Sequence, residues 1–225
     1  MLSIGVVDVV GLEVVCSSWS RARDRPGGPP PLRDSHKFLF GLPDRKPGDL
    51  KNIREGNFQY RSCMRIIKKC LDVGVPGYLE NPKSSRFFLT PGVKKLVSSG
   101  LGHLVDLDQC QYGAPYRKRT TLLIWGLPPG SACFKMCTGR RGRCSRTNRK
   151  HVHLAGQQGG VFKTRAAQAY PQQMAAAIAE VFSSSRNSGQ ATSNAVQLSS
   201  TPGRSRGKGQ EAKPCKQEYQ AAAVQ

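Results

Sequence analysis

The chain has 225 residues, 38% of them hydrophobic, which suffices for one ordinary core and not for two generous ones. Its 35 Lys and Arg outnumber 14 Asp and Glu to give a net charge of +21. That imbalance argues against an unexceptional cytosolic enzyme and for a polyanionic partner, DNA first, with RNA possible and an anionic membrane surface second. No apolar run approaches the ~18 residues of a membrane span, and the valine-rich start has no basic residue ahead of Asp8. Neither a membrane anchor nor a secretory signal is expected. Eight cysteines without such a signal read as reduced thiols in an intracellular protein, nuclear if the source is eukaryotic.

In chain order, the first expected element is a strand over residues 12–15 that reaches Cys16, with the chain beginning at that strand. Residues 17–47 turn to Arg, Pro and Gly, and the run from Pro26 to Pro31 cannot form a regular element, so a long basic loop is expected there. Asp49 is the expected N-cap of an amphipathic helix carrying Leu50, Ile53, Tyr60, Met64, Ile67 and Leu71, which Gly74 terminates. Pro76 and Pro82 bracket a short strand at Tyr78 and Leu79 that delivers Glu80 to its end. A short helix follows from Pro91 with Val93, Leu96 and Val97 inward, then strands over 101–107 and 121–125. The alternation of strands and helices is the α/β pattern. Pro171 opens a last helix with Met174, Ile178, Val181 and Phe182 at helical spacing. Residues 183–225 are poor in large apolar side chains and read as a disordered, basic tail.

Three separated segments carry chemistry. Cys16 is a candidate nucleophile, and the nearby Arg21 and Arg23 supply a cationic field that favours its thiolate. Glu80, as a buried carboxyl of raised pKa, can hold or protonate a ring nitrogen. Lys118 and Arg119 can hold a phosphate backbone. A fourth candidate is the stretch 133–153, with seven Lys or Arg, no acid, three cysteines and two histidines. Cys137 and Cys144, with His151 and either His153 or Cys133, offer the four N/S ligands that zinc takes; the other reading is a basic DNA-contacting loop whose cysteines are incidental.

Cys-Ser-Ser-Trp-Ser-Arg-Ala-Arg from Cys16, Glu-Asn-Pro from Glu80, and Gln-Cys-Gln-Tyr-Gly-Ala-Pro-Tyr-Arg-Lys-Arg-Thr from Gln109 occur in that order. Together they resemble the C5-cytosine DNA methyltransferases, above all the divergent methylase-like proteins of phages and mobile elements. The resemblance spans roughly residues 15–181, most of the chain expected to be ordered. It implies a Rossmann-like methyltransferase sheet with flanking helices over residues 1–182 and a covalent mechanism on a flipped base. Cys16 would attack C6 of cytosine, Glu80 would engage N3 and the exocyclic amine, and C5 would take a methyl group from S-adenosylmethionine. Asn81 would hold the Glu80 turn, Lys118 and Arg119 would stand where the family has its Gln-x-Arg-x-Arg element, and residues 17–33 would close over the base.

The chain departs from that pattern at three places. Val15 stands where the family has proline before the cysteine; Tyr116, Lys118 and Thr120 stand where it has Gln, Arg and Arg; and no glycine-rich cofactor motif precedes Cys16. The expectation is therefore an incomplete, amino-terminally truncated methylase domain, inactive as this chain. The alternative is a non-catalytic basic nucleic-acid-binding protein with a zinc-knuckle-like Cys/His module.

Overall fold

The computed structural model describes residues 7–24 and 29–195, the side chains of 158, 166 and 185–195 excepted. It is mixed α/β. A four-stranded sheet is built from β1 (Val10–Glu13), β2 (Gly77–Pro82), β3 (Gly102–Asp108) and β4 (Arg119–Trp125), in the order β1-β2-β4-β3. The long helix α1 (Pro47–Asp72) connects β1 to β2, which lie parallel, as a crossover connection requires. The eight-residue α2 (Pro91–Ser98) precedes β3. β4 is antiparallel to both of its neighbours. A two-stranded ribbon, β5 (Gln157–Gln158) with β6 (Val161–Phe162), and the helix α3 (Gln172–Ala195) follow.

β4 is central because its sequence allows nothing else. The run from Thr121 to Trp125 is buried throughout, as suits a strand covered on both faces. Alternate residues serve opposite layers. Leu123 and Trp125 join Leu79, Phe87, Ile67 of α1 and Val93 of α2, while Leu122 and Ile124 join Val105, Leu107, and Met174, Ile178 and Phe182 of α3. Helices therefore cover both faces of the sheet.

α1 shows how local chemistry sets boundaries. It starts at Pro47 and not after Asp49, because a proline at the first helical position gives up an amide that would have no partner. The amides of Asp49 and Leu50 bond the carbonyl of Lys46 at 2.9 and 3.0 Å, and Asp49 sits within the first turn. At the other end Gly74 takes φ +70°, its amide bonds Leu71 O at 3.3 Å and that of Val75 bonds Cys70 O at 2.8 Å. This is a Schellman closure, with buried Cys70 and Val75 in the accompanying apolar contact.

Other boundaries move as well. β1 lies at Val10–Glu13, since its ladder with β2 ends where Glu13 faces Glu80. β2 continues through Asn81 and Pro82, and the proline sits at the strand end opposite Thr120. In α2 only Val93 is fully inward; Val97 is 38% exposed, because this short helix reaches the sheet along one stripe. α3 runs on to Ala195, into the stretch read as tail, and residues 196–225 of that tail lie outside the described residues. Among the described residues no helix is long and apolar enough to cross a membrane.

The basic loop after Cys16 is tied down at its far end by Arg33. Its guanidinium is buried and donates to Ser18 O and Oγ, Leu39 O, Ile53 O and Asn57 Oδ1 at 2.7–3.2 Å. It also lies 3.6 Å from the ring centroid of Trp19, itself packed against Phe40, Tyr60 and Phe87. The loop expected to close over a base is thus anchored to α1 at residue 33. Residues 25–28 within it lie outside the described ones.

A candidate nucleophile site and a candidate metal centre

The parallel pairing of β1 and β2 sets Glu13 beside Glu80 at the carboxyl ends of both strands. Cys16 follows β1 by one turn, in which its carbonyl accepts from Trp19 and Ser20 amides at 3.1 and 2.7 Å. Asn81 is fully buried and donates from Nδ2 to Val14 O at 3.2 Å, so it fixes the segment that carries Cys16 to the strand that carries Glu80. Lys118, just before β4, brings its Nζ to 3.8 Å from Glu80 Oε1, an ion pair without a hydrogen bond, and donates to Ala167 O at 3.1 Å.

The electrostatics follow from this packing. Glu80 is 6% exposed. Burial pushes its carboxyl above the usual range, Lys118 pulls it back and Glu13 pushes it up again. The Cys16 thiol is half-buried and raised: burial is the main cause, Lys118 opposes it and Glu80 adds to it. Tyr170, from the turn before α3, has its phenol raised by burial and by the charges of Glu80 and Glu13. Glu80 Oε1, Asn81 Oδ1 and the Tyr170 hydroxyl are buried without a hydrogen-bond partner among the described residues. Tyr170 also borders an open hollow of about 420 Å³, where Tyr112, Tyr116 and Pro171 line the wall.

The structure thus brings together Cys16, Glu80, Asn81 and Lys118, and adds Glu13 and Tyr170, which sequence reasoning missed. Glu13 is placed by the parallel register of β1 on β2, for which the sequence carries no signal. The arginines lie elsewhere. Arg21 pairs with Asp24 at 3.4 Å, and Arg23 donates to Ser17 O and Pro30 O and approaches Asp49 at 3.7 Å, so both brace the loop. The cation that acts on Cys16 is Lys118. Arg119 extends from β4 toward Asp108, at 4.0 Å.

The second cluster joins the end of β3 to the loop after β4. The ligand atoms of Cys110, Cys137, Cys144 and His151 all lie within 4.8 Å of one another, with the three cysteines buried. This set could hold a metal ion. Cys110, and neither His153 nor Cys133, completes it, and both of those residues are exposed. Cys110 escaped the sequence reading because it lies far from Cys137 along the chain, in the Gln-Cys-Gln-Tyr-Gly motif; the loop after β4 runs back to the end of β3, where the Asp108 amide donates to Lys135 O at 3.1 Å, and so brings the two together.

Fixed donors surround the sulfurs. Gln111 Nε2 lies 3.6 Å from both Cys110 Sγ and Cys144 Sγ, and the Ser145 amide donates to Cys137 Sγ at 3.4 Å. The fully buried Asp108 accepts from the Cys137 amide at 2.8 Å and from Arg117 at 3.1 and 3.2 Å, and Arg117 donates to Cys137 O at 2.6 Å. Burial pushes the Cys144 thiol up, but amide donors from Thr147 and Arg146 and the His151 side chain outweigh it and bring it down to about 6. Cys110 is pushed up to about 12, mainly by burial. The Cys137 turn needs Gly139, where an added Cβ would fall 1.9 Å from Arg143 O.

Compared with known proteins, the chain matches no family model, no curated protein and no solved structure.

Proposed function

We propose that the Cys16, Glu80 and Lys118 constellation engages an extruded cytosine of DNA, in the manner of the C5-cytosine methyltransferases that its motifs resemble. One observation carries the reading: residues from three distant segments meet at the carboxyl edge of one sheet, where a buried acid whose pKa is raised by burial lies beside a thiol and a cation. The Cys16 thiol loses its proton to solvent with Lys118 as the favouring charge, and its sulfur bonds C6. The C5=C6 π pair shifts to form C4=C5, the C4=N3 π pair moves onto N3, and N3 takes the proton of a protonated Glu80. Glu80 Oε1, which has the Lys118 charge nearby but no hydrogen bond, and Asn81 Oδ1, which has none either, suit a ligand that offers N–H donors, as a protonated N3 and an exocyclic amine do.

S-adenosylmethionine is the donor that the resemblance implies, but residues 7–16 carry no glycine-rich turn to cradle it, and Gly11 is filled against Tyr78. No methyl-transfer step is derived, and the reading for this chain is covalent engagement without turnover. The test is incubation with duplex DNA containing 5-azacytosine, whose electron-poor ring favours attack, with labelled S-adenosylmethionine in a parallel reaction. Weak adduct formation that disappears in Cys16→Ala and falls in Glu80→Gln, with negligible label transfer, is expected. An adduct that persists in Cys16→Ala overturns the assignment.

A second reading is favoured by the absence of any acid between Asp108 and Glu180. In it the chain binds nucleic acid without chemistry, through a basic module in which the Cys/His cluster holds zinc.

A further inference from the structure

We propose that Cys110, Cys137, Cys144 and His151 bind one zinc ion in a closed structural site that fixes the hairpin 139–151 to the end of β3, and that this hairpin is a clamp for the phosphate backbone of duplex DNA. The clamp deepens the nucleic-acid reading above and rests on it; the metal site stands without it.

The donor chemistry selects the ion. Three sulfurs and one imidazole nitrogen form the Cys3His set of structural zinc, with no open position for water. In such a tetrahedron the ligand atoms stand roughly 3.4–3.8 Å apart, and Cys137 Sγ already lies 3.7 Å from His151 Nε2. Loose packing of small apolar thiols does not account for the side-chain amide of Gln111 reaching two of the sulfurs, or for the Ser145 amide and hydroxyl both donating to a third. Donors aimed at sulfur are the outer shell that holds thiolates for a metal. Asp108 and Arg117 grip both backbone groups of Cys137, so one ligand is fixed from the sheet side before any ion binds.

The hairpin explains why the chain would need this knot. It has little apolar substance of its own: between Cys137 and His151 every residue except Cys144 is at least partly exposed. Its backbone closes through Cys144 N to Arg149 O and His151 N to Gly142 O, each at 2.8 Å, and an isolated bridge joins Arg143 to Lys150. Two of the four proposed ligands, Cys144 and His151, sit beside these bonds, so an ion there ties both hairpin arms to Cys110. The arms carry Arg140, Arg141, Arg143, Arg146, Arg149 and Lys150, all exposed, and among the described residues none of the six makes an ion pair. Six cations held on a short, acid-free hairpin form an electrostatic footprint for closely spaced phosphates.

The full-length chain, purified without chelator, is assayed for metal by elemental analysis and for binding to a labelled DNA duplex across salt concentrations. About one zinc per chain is expected. Cobalt(II) exchanged into the wild-type protein should show the visible bands of a tetrahedral thiolate site, a readout that needs no variant to fold. His153→Ala should keep the ion and Cys144→Ser should lose it. Stripping zinc should weaken duplex binding by about tenfold or more and flatten its salt dependence, as loss of several phosphate contacts requires. Wild-type protein without zinc and without tetrahedral cobalt bands overturns the metal site. Zinc present, with Arg143→Ala/Arg146→Ala binding DNA as tightly as wild type, overturns the clamp and leaves the metal site standing.

Discussion

Arg33 and Glu80 are both buried, and neither is matched in the usual way. Among the described residues Arg33 pairs with no carboxylate; five hydrogen bonds to neutral oxygens and the face of Trp19 hold it, and burial, with the nearby Arg86, lowers its pKa to about 10. Truncation to Ala would take away the donor to the carbonyls of Ser18 and Leu39 and to the Ser18 hydroxyl. Arg33→Ala should cost about 3 kcal/mol or more in denaturant unfolding, and Arg33→Lys should recover only part of it, since an ammonium cannot reproduce the fork. Glu80 differs, because its folded-state pKa is raised above the ordinary 4.5. The folded state then holds the proton more tightly than the unfolded chain. Stability from this group is fully present below the unfolded value and is lost as pH rises through the folded one. The melting temperature of wild type relative to Glu80→Gln should accordingly be highest near pH 4 and decline as pH rises. A difference that grows with pH would contradict the burial argument.

Strands and helices were legible where one pattern dominated. The three- and four-residue spacing from Ile53 to Leu71 announced α1, the apolar run ending at Trp125 announced β4, and Met174, Ile178 and Phe182 announced α3. Boundaries were less legible, because Pro47 and the Lys46 carbonyl decide where α1 starts whatever Asp49 offers. The candidate site was half legible. Cys16, Glu80 and Lys118 stood out as residue types in motifs, whereas Glu13 owes its place to strand register and Cys110 to the return of the loop after β4 to the end of β3, neither of which one sequence displays. Register also makes Gly77 indispensable. It faces Val10 in β1 and Trp125 in β4, and an added Cβ would lie 2.3 Å from both Val10 O and Trp125 Cζ2. Gly77→Ala should cost about 1–3 kcal/mol in urea unfolding through overpacking, and wild-type stability in that variant would show that β1 can leave the sheet freely.

Across the molecule, charge and chemistry are unevenly laid out. The acids end at Asp108 and resume at Glu180, and that interval holds Lys118, the Cys/His cluster that could hold a metal and the basic hairpin. With a net charge of +21, binding to duplex DNA should show little sequence preference and should fall by about a thousandfold or more between ~50 and ~200 mM salt, if six or more phosphates are contacted. Salt-insensitive binding would remove nucleic acid as the partner. Val152, just after the hairpin, donates its amide to Pro115 O in the β3–β4 connection at 2.8 Å, and Lys118 lies later in that same connection beside Glu80. That juxtaposition makes the attachment point of a trapped base the most direct test. The full chain is reacted with 5-azacytosine duplex, digested with protease and nuclease, and the modified peptide is located by mass spectrometry. The nucleotide remnant should lie on Cys16. A remnant on Cys110, Cys137 or Cys144, or none in protein that binds the duplex, would contradict Cys16 as the nucleophile.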